Sequence, residues 1–328
     1  MANEVKKLNA IAIGDIKNLN ALTDANIKEF NAQEWSSGPS HVWTSVGAMG
    51  TAMTSAGQGF GAVNTAVAVA GGHDGAFTDD TQERDGTTWG TGGDLSATRQ
   101  QMGSCGTLSA GLCFGGWPGA GGNTDITQEY SSSTWSTGED TISVAKGANR
   151  GVGTQTAALQ AFGDVSGGST ADAKNAEEYT SSTWGSASTP NVAASYTLAF
   201  GEQGAAYFCG GYGYPSAMNH VQSYDGGTWA TDGGNGVTTR INQTQQGGSF
   251  GSSSAAVIFG GAGATTGTSY AASQDHADKW DGTAFSATQD LPSGSVDVND
   301  THGAGSQAAG LGFGGGGASP TDNVVTYT

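Results

Sequence analysis

Six short apolar runs that stop at glycine organise this chain. Val67-Ala68-Val69-Ala70 precedes Gly71-Gly72, Leu112-Cys113-Phe114 precedes Gly115-Gly116, and Leu159-Gln160-Ala161-Phe162 precedes Gly163-Asp164. Ala206-Tyr207-Phe208-Cys209 precedes Gly210-Gly211, Ala256-Val257-Ile258-Phe259 precedes Gly260-Gly261, and Leu311-Gly312-Phe313 precedes Gly314-Gly315. The first glycines lie 44, 48, 47, 50 and 54 residues apart, a spacing that marks stacked repeats.

A second pattern follows each run, an aromatic or long residue with an aromatic five positions later. It reads Tyr130 and Trp135, Tyr179 and Trp184, Tyr224 and Trp229, and more loosely Arg84 with Trp89 and Trp280 with Phe285. The residues between are Ser, Thr, Asp and Gly, so each unit is expected to end in a tight hairpin. The last unit supplies Val324-Val325-Thr326-Tyr327 without a partner strand, while Gly38-Pro39-Ser40-His41-Val42-Trp43 offers a turn and a Trp without a preceding apolar run. The pattern therefore predicts a closed all-β ring of six sheets in which the first strand completes the last sheet. Closure removes exposed strand edges. Inner and second strands are expected near 55–62 and 65–71, 101–107 and 110–115, 149–156 and 157–163, 195–201 and 204–210, 243–251 and 254–260, and 300–306 and 308–314.

Composition refines this picture. With 57 Gly, 6 Pro and 12% charged residues among 328, the core must be built from Ala, Val, Gly and aromatic rings, with Trp and Tyr supplying most of the buried area. The net charge of −18 comes without a Lys/Arg cluster, which argues against a nucleic-acid face. Neither an 18-residue apolar stretch nor an apolar signal-peptide core is evident, so membrane insertion and export by that route are not expected. Three cysteines cannot form a disulfide framework. Cys105 and Cys113 could pair if the register allowed, but all three read first as small buried residues.

Residues 1–35 carry a different repeat, with a period of eleven: Val5 and Leu8, Ile16 and Leu19, Ile27 and Phe30. Each apolar pair at i and i+3 fits one helical turn. So short a segment cannot bury a core alone, so it should pack on copies of itself or on a larger partner.

Apolar-Gly-Gly followed by Tyr and then Trp resembles the kelch repeat of β-propellers over about residues 36–328. That resemblance implies a six-bladed kelch-like β-propeller. The segment 1–35 is similar to repeats that open fibre and other virion proteins of tailed bacteriophages. This second resemblance implies docking to other virion proteins through Val5, Leu8, Ile16, Leu19, Ile27 and Phe30, and a location on the particle surface after assembly in the host cytoplasm.

Loop lengths indicate a working face. The Tyr-to-Trp spacing is constant, whereas the distance from first glycine to the Tyr position runs 13, 15, 16, 14, 20 and 13. In a propeller blade the second-to-third connection shares a face with the crossover to the next blade, so specificity is expected there. Candidate ligand-binding residues on that face are His73, Phe77, Trp117, Tyr212, Tyr214, His220, Tyr270 and His276. Aromatic rings beside Asp and Asn suit sugar binding.

Catalytic readings are weaker. Kelch-type propellers include copper radical oxidases that use Tyr, His and a Tyr-Cys crosslink, but the five His here are scattered at 41, 73, 220, 276 and 302. Asp225-Gly226-Gly227-Thr228-Trp229 resembles the structural Asp-box turn of sialidases, whose chemistry needs an arginine triad. Arg99 and Arg240 fall at near-equivalent repeat positions, and with Arg150 they could converge near the axis, although a repeat position is the simpler explanation. Asp275, His276 and Asp278, and likewise Asp297, Asp300 and His302, lack a specific metal-ligand spacing, so neither a metal nor a cofactor is expected. The expectation is a non-enzymatic virion protein, with homo-oligomerisation left open, displaying a propeller toward a host-surface glycan or receptor. The alternatives are a capsid or tail decoration protein and a polysaccharide-acting propeller enzyme.

Overall fold

The computed structural model describes residues 29–30, 33–34, 41–53, 58–119, 122–136, 140–165, 174–213, 216–217, 220–232, 244–245, 247–264, 270–273, 275–292, 301–315 and 321–328. It divides into two units, Met1–Ser40 and His41–Thr328. In the first unit Glu29–Phe30 pairs antiparallel with Gln33–Glu34. Phe30 is thus extended where the i, i+3 pattern predicted a helical turn, which accords with the strand preference of aromatic side chains. Val5, Leu8, Ile16, Leu19 and Ile27 lie outside the described residues, as does the side chain of Phe30.

The second unit is a six-bladed β-propeller, and each blade is a four-stranded antiparallel sheet. Blade 1 comprises Gln58–Val63, Ala66–His73, Phe77–Asp85 and Thr88–Thr91, and blade 2 comprises Gly103–Thr107, Ala110–Phe114, Thr127–Ser131 and Thr134–Trp135. Blade 3 is Arg150–Thr154, Ala157–Ala161, Ala176–Thr180 and Thr183–Ser186, and blade 4 is Leu198–Glu202, Ala205–Cys209, Val221–Tyr224 and Trp229–Asp232. Blade 5 is Gly248–Ser252, Ala255–Phe259, Ala277–Trp280 and Phe285–Ala287. Blade 6 takes Thr301–Ser306, Ala309–Gly314 and Val324–Tyr327 from one end of the chain and Trp43–Val46 from the other. Trp43 lies opposite Tyr327 in that sheet, so the expected closure is present. Successive first strands pack side by side around the axis, that of blade 6 against that of blade 1.

Each repeated signature has a physical role. In five blades the two residues five positions apart face each other across the outer hairpin, Arg84 and Trp89, Tyr130 and Trp135, Tyr179 and Trp184, Tyr224 and Trp229, Trp280 and Phe285; in blade 6 Tyr327 and Trp43 take the same places across the closing pair. Cross-strand aromatic pairs stabilise such sheets. The double glycine supplies two consecutive positive φ angles that end the second strand, 65° and 106° at Gly115-Gly116 for example. In blade 3 the position equivalent to Gly115 is Phe162 (φ 65°), followed by Gly163 (φ 110°), so the motif is Phe162-Gly163 rather than Gly163-Asp164. A β-carbon on Gly163 would meet the Gly147 carbonyl oxygen at 2.9 Å, which explains why only that position must remain glycine.

Phe162 keeps a strained backbone because its ring is fully buried against Phe208 and Trp229. Phe162→Gly should relieve about 1 kcal/mol of left-handed strain but lose a buried phenyl group that contributes roughly 3–5 kcal/mol. The variant should therefore unfold at lower denaturant, by about 2–4 kcal/mol in net stability; a stabilised variant would show that strain dominates.

Neighbouring blades are joined by devices that the sequence did not announce. The hydroxyls of Tyr130, Tyr179 and Tyr224 donate to Glu83, Glu129 and Glu178 of the preceding blade at 2.5, 2.9 and 2.8 Å. Gln155, Gln203 and Gln307, each in the turn after a first strand, donate through Nε2 to two backbone carbonyls of the preceding blade, one from its second strand and one from its third. These amides satisfy carbonyls that would otherwise be orphaned between sheets. Arg99 is buried in the crossover to blade 2 and donates to the carbonyls of Gly115 and Ile126 and to Gln128 Oε1. Burial lowers its pKa to about 10, which leaves it charged at neutral pH. Lys146 takes the equivalent place in blade 3, donating to the Asn175 carbonyl and Oδ1. Arg99 is therefore a repeat position, as the simpler reading held, whereas Arg240 lies outside the described residues.

The Asp-box-like turn is also structural. Asp225 accepts from the Gly227 and Thr228 amides and the Thr228 hydroxyl, and Asp281 repeats the arrangement with Thr283 and Ala284 in blade 5. These bonds favour the ionised form and hold both carboxyl groups below the usual range. Because the folded pKa is depressed, their contribution is present above the ordinary carboxylate pKa of about 3.9 and is lost as pH falls through the lower folded value. Carboxyl NMR titration should place the midpoints of Asp225 and Asp281 below that ordinary value; normal midpoints would contradict the turn geometry.

The cysteines are buried and form no disulfide. Cys105 lies opposite Leu112 and Cys113 opposite Ser104, so the two thiols point to opposite faces of blade 2 and cannot bond.

Candidate functional site

The face carrying the second-to-third connections and the crossovers holds an aromatic ridge. Blade 1 turns sharply between its second and third strands at Asp74-Gly75-Ala76: the His73 Nδ1 accepts from the Gly75 amide, and Asp74 Oδ1 from the Ala76 amide. This turn places His73 directly opposite Phe77 in register, with their rings 5.3 Å apart and nearly perpendicular. Phe77 in turn meets Trp117 of blade 2 edge-on at 5.2 Å. Trp117 is pinned through its backbone, which exchanges two hydrogen bonds with Gln100 in the crossover. Gly119 (φ 94°) passes so close beneath that a β-carbon there would lie 2.7 Å from the Phe77 ring.

Three predicted residues from two blades, His73, Phe77 and Trp117, thus form one continuous edge-to-face array. Trp117 remains 37% exposed, unusual for so large an apolar side chain held by a rigid backbone. Such a ring presents an apolar surface and an indole N–H to a ligand, a combination suited to the mixed faces of sugars.

The other predicted positions disperse. His220 is half-buried at the start of the third strand of blade 4, its carbonyl accepting from the Gly210 amide. Tyr212 and Tyr270 belong to the short strands Tyr212–Gly213 and Tyr270–Ser273, and their side chains, like the whole of Tyr214, lie outside the described residues. His276 joins Asp275 and, from the crossover to blade 6, Asp290; its Nδ1 lies 3.5 Å from Asp275 Oδ1 and 3.4 Å from Asp290 Oδ1. The sequence reading groups Asp275 and His276 with Asp278; the structure keeps Asp275 beside His276, whereas Asp278 lies in the third strand and is fully buried.

A second feature lies on the axis. The first residues of the inner strands enclose a cavity of about 50 Å³ lined by Arg150, His302, Ser104, Ser249 and backbone glycines. Arg150 and His302 are both more than nine-tenths buried. Burial, and secondarily the Arg150 charge, push the His302 pKa well down, so this imidazole is neutral at ordinary pH. Arg150 therefore does reach the axis, as the arginine reading allowed, but Arg99 does not. The described residues lining this cavity and the wider, glycine-lined one below it include no Asp or Glu. The signal that could have marked Arg150 and His302 is their place at the entry of an inner strand, visible only once strand limits are known.

No family model and no curated protein sequence matches the chain. Among solved structures it is similar to one described as the structure of YjhT, with a TM-score of 0.69 and 12% identity, covering 86% of this chain and 99% of that one. At that identity the likeness speaks for architecture alone, and that architecture, in residues 41–328, is a six-bladed β-propeller.

Proposed function

We propose that this protein is a non-enzymatic adhesin of a bacteriophage virion, a fibre or surface appendage whose kelch-type propeller binds a host-surface glycan or receptor. The observation that carries the reading is the ridge of Trp117, Phe77 and His73, an exposed aromatic array on the face with the variable loops. Its backbone is held by hydrogen bonds on both sides, so the ridge is formed before ligand arrives and little ordering entropy is spent on binding. The net charge of −18 repels acidic polymers, which directs the choice toward neutral sugars. The eleven-residue repeats of residues 1–35 supply the docking segment to other virion proteins, and display in many copies raises weak sugar contacts to useful avidity.

The test is binding of the full-length protein, multimerised on beads, to intact bacterial cells and to an array of neutral and acidic glycans. Saturable binding to neutral glycans that falls with Trp117→Ala supports the proposal. Absence of binding even when multimerised would favour a decoration protein that covers the particle.

A further inference from the structure

We infer that Asp275, His276 and Asp290 form a binding site for a divalent transition metal ion, with Zn²⁺ the best fit. The three donor atoms lie within 4.8 Å of one another. The separations from His276 Nδ1 are the informative ones, at 3.5 Å to Asp275 Oδ1 and 3.4 Å to Asp290 Oδ1. They match the edge of a tetrahedron around zinc: with metal–ligand distances of about 2.1 Å, ligands stand about 3.4 Å apart.

The donors come from two segments that the fold holds together. The Asp275 carbonyl accepts from the Leu291 amide at 2.7 Å and the His276 carbonyl from the Gly260 amide at 2.9 Å, while the Thr288 amide bonds the Ala277 carbonyl. The second-to-third connection of blade 5 and the crossover to blade 6 are therefore tied on both sides of the cluster. The donor set decides the metal class. Calcium takes six to eight oxygen ligands and magnesium an octahedron of oxygens, whereas imidazole with two carboxylates suits zinc and its neighbours. Three protein ligands leave one tetrahedral position for water or an incoming group. The side chains are 28%, 51% and 40% exposed for His276, Asp275 and Asp290, so that position opens to solvent on the variable-loop face. This assignment is independent of the adhesion proposal.

The experiment uses the full chain, stripped with a chelator and titrated with Zn²⁺ against a chromophoric competitor, and separately with Co²⁺ for its visible spectrum. One ion per chain is expected, with the intense visible absorption of tetrahedral Co²⁺, and a raised melting temperature. His276→Gln and Asp290→Asn should each lower affinity by about 100-fold or more, at least the loss seen on removing outer-shell partners. Asp322→Asn, an exposed carboxylate in the blade 6 connection, should leave it unchanged. Circular dichroism of the stripped variants controls for folding. Failure to bind Zn²⁺ in competition, binding unaffected by His276→Gln and Asp290→Asn, or an octahedral Co²⁺ spectrum would each overturn the assignment.

Discussion

Trp43→Ala is expected to destabilise the propeller by about 3–5 kcal/mol, the range for deleting a buried aromatic side chain, and to lower the melting temperature by roughly 10 °C for a domain of this size. Trp43 is only 4% exposed and lies within 6.1 Å, ring to ring, of Phe250, Phe259 and Tyr327. It is also the residue through which the chain's first described propeller strand holds its last. The strand Trp43–Val46 pairs along its whole length with Val324–Tyr327, and the Val42 amide and Thr328 carbonyl extend the ladder at 2.8 Å. Loss of the ring frees this strand as well as leaving a cavity, so the unfolding rate should rise more than the folding rate falls. The indole Nε1 is buried without an acceptor. Trp43→Phe, which keeps a ring and removes that unsatisfied N–H, should therefore recover most of the loss. Thermal unfolding of both variants checks this; equal stability of Trp43→Ala and the parent would mean that the closing strand contributes little.

Trp117→Ala is expected to produce the opposite profile, with binding lost and stability nearly retained. Truncating a central aromatic at a binding surface costs about 2 kcal/mol or more, roughly 30-fold in monovalent affinity, and avidity magnifies the difference. The backbone bonds between Trp117 and Gln100 survive the substitution, and only the edge-to-face contact with Phe77 disappears, worth about 0.5–1.5 kcal/mol. Phe77→Ala should weaken binding less, because Phe77 supports Trp117 from the side. Flow cytometry of labelled protein on host cells, with melting curves in parallel, separates the two effects. Unchanged binding by Trp117→Ala would remove the ridge from the proposal.

The two variants probe different faces of one design. Stability rests on contacts between blades: tyrosine hydroxyls on glutamates, glutamine amides on paired carbonyls, and phenyl rings laid on glycines of the next blade, as Phe114 lies on Gly151 and Phe60 on Gly111. The proposed recognition uses loops that these contacts leave free to vary. The same separation explains why Arg99 and Lys146 serve the scaffold, while Arg150, one strand entry away, reaches the axis.

The sequence by itself determined the architecture. A six-fold recurrence of apolar-Gly-Gly and of two strand-forming residues five apart leaves little freedom, because each side-chain alternation and each positive φ allows one register per hairpin. The inner and second strands fall within a few residues of expectation, and the unmatched strand at Trp43 joins Tyr327. Even the irregular third unit was legible as a repeat, although which residue replaced the first glycine was not. Phe162 looks like the end of an apolar strand until its buried ring is seen to offset its left-handed backbone.

Which loop residues come together follows from packing between blades. His73, Phe77 and Trp117 were candidates in separate repeats, and their union depends on how far blade 2 is rotated from blade 1. Of the neighbours that the sequence offers His276, Asp275 stands beside it, whereas Asp278, two residues along, is buried in the third strand and Asp290 arrives from a crossover fourteen residues later. Local periodicity specifies which face a side chain takes within its own sheet. Contacts between loops depend on the angle between sheets, which is set by packing and leaves no periodic trace in the sequence.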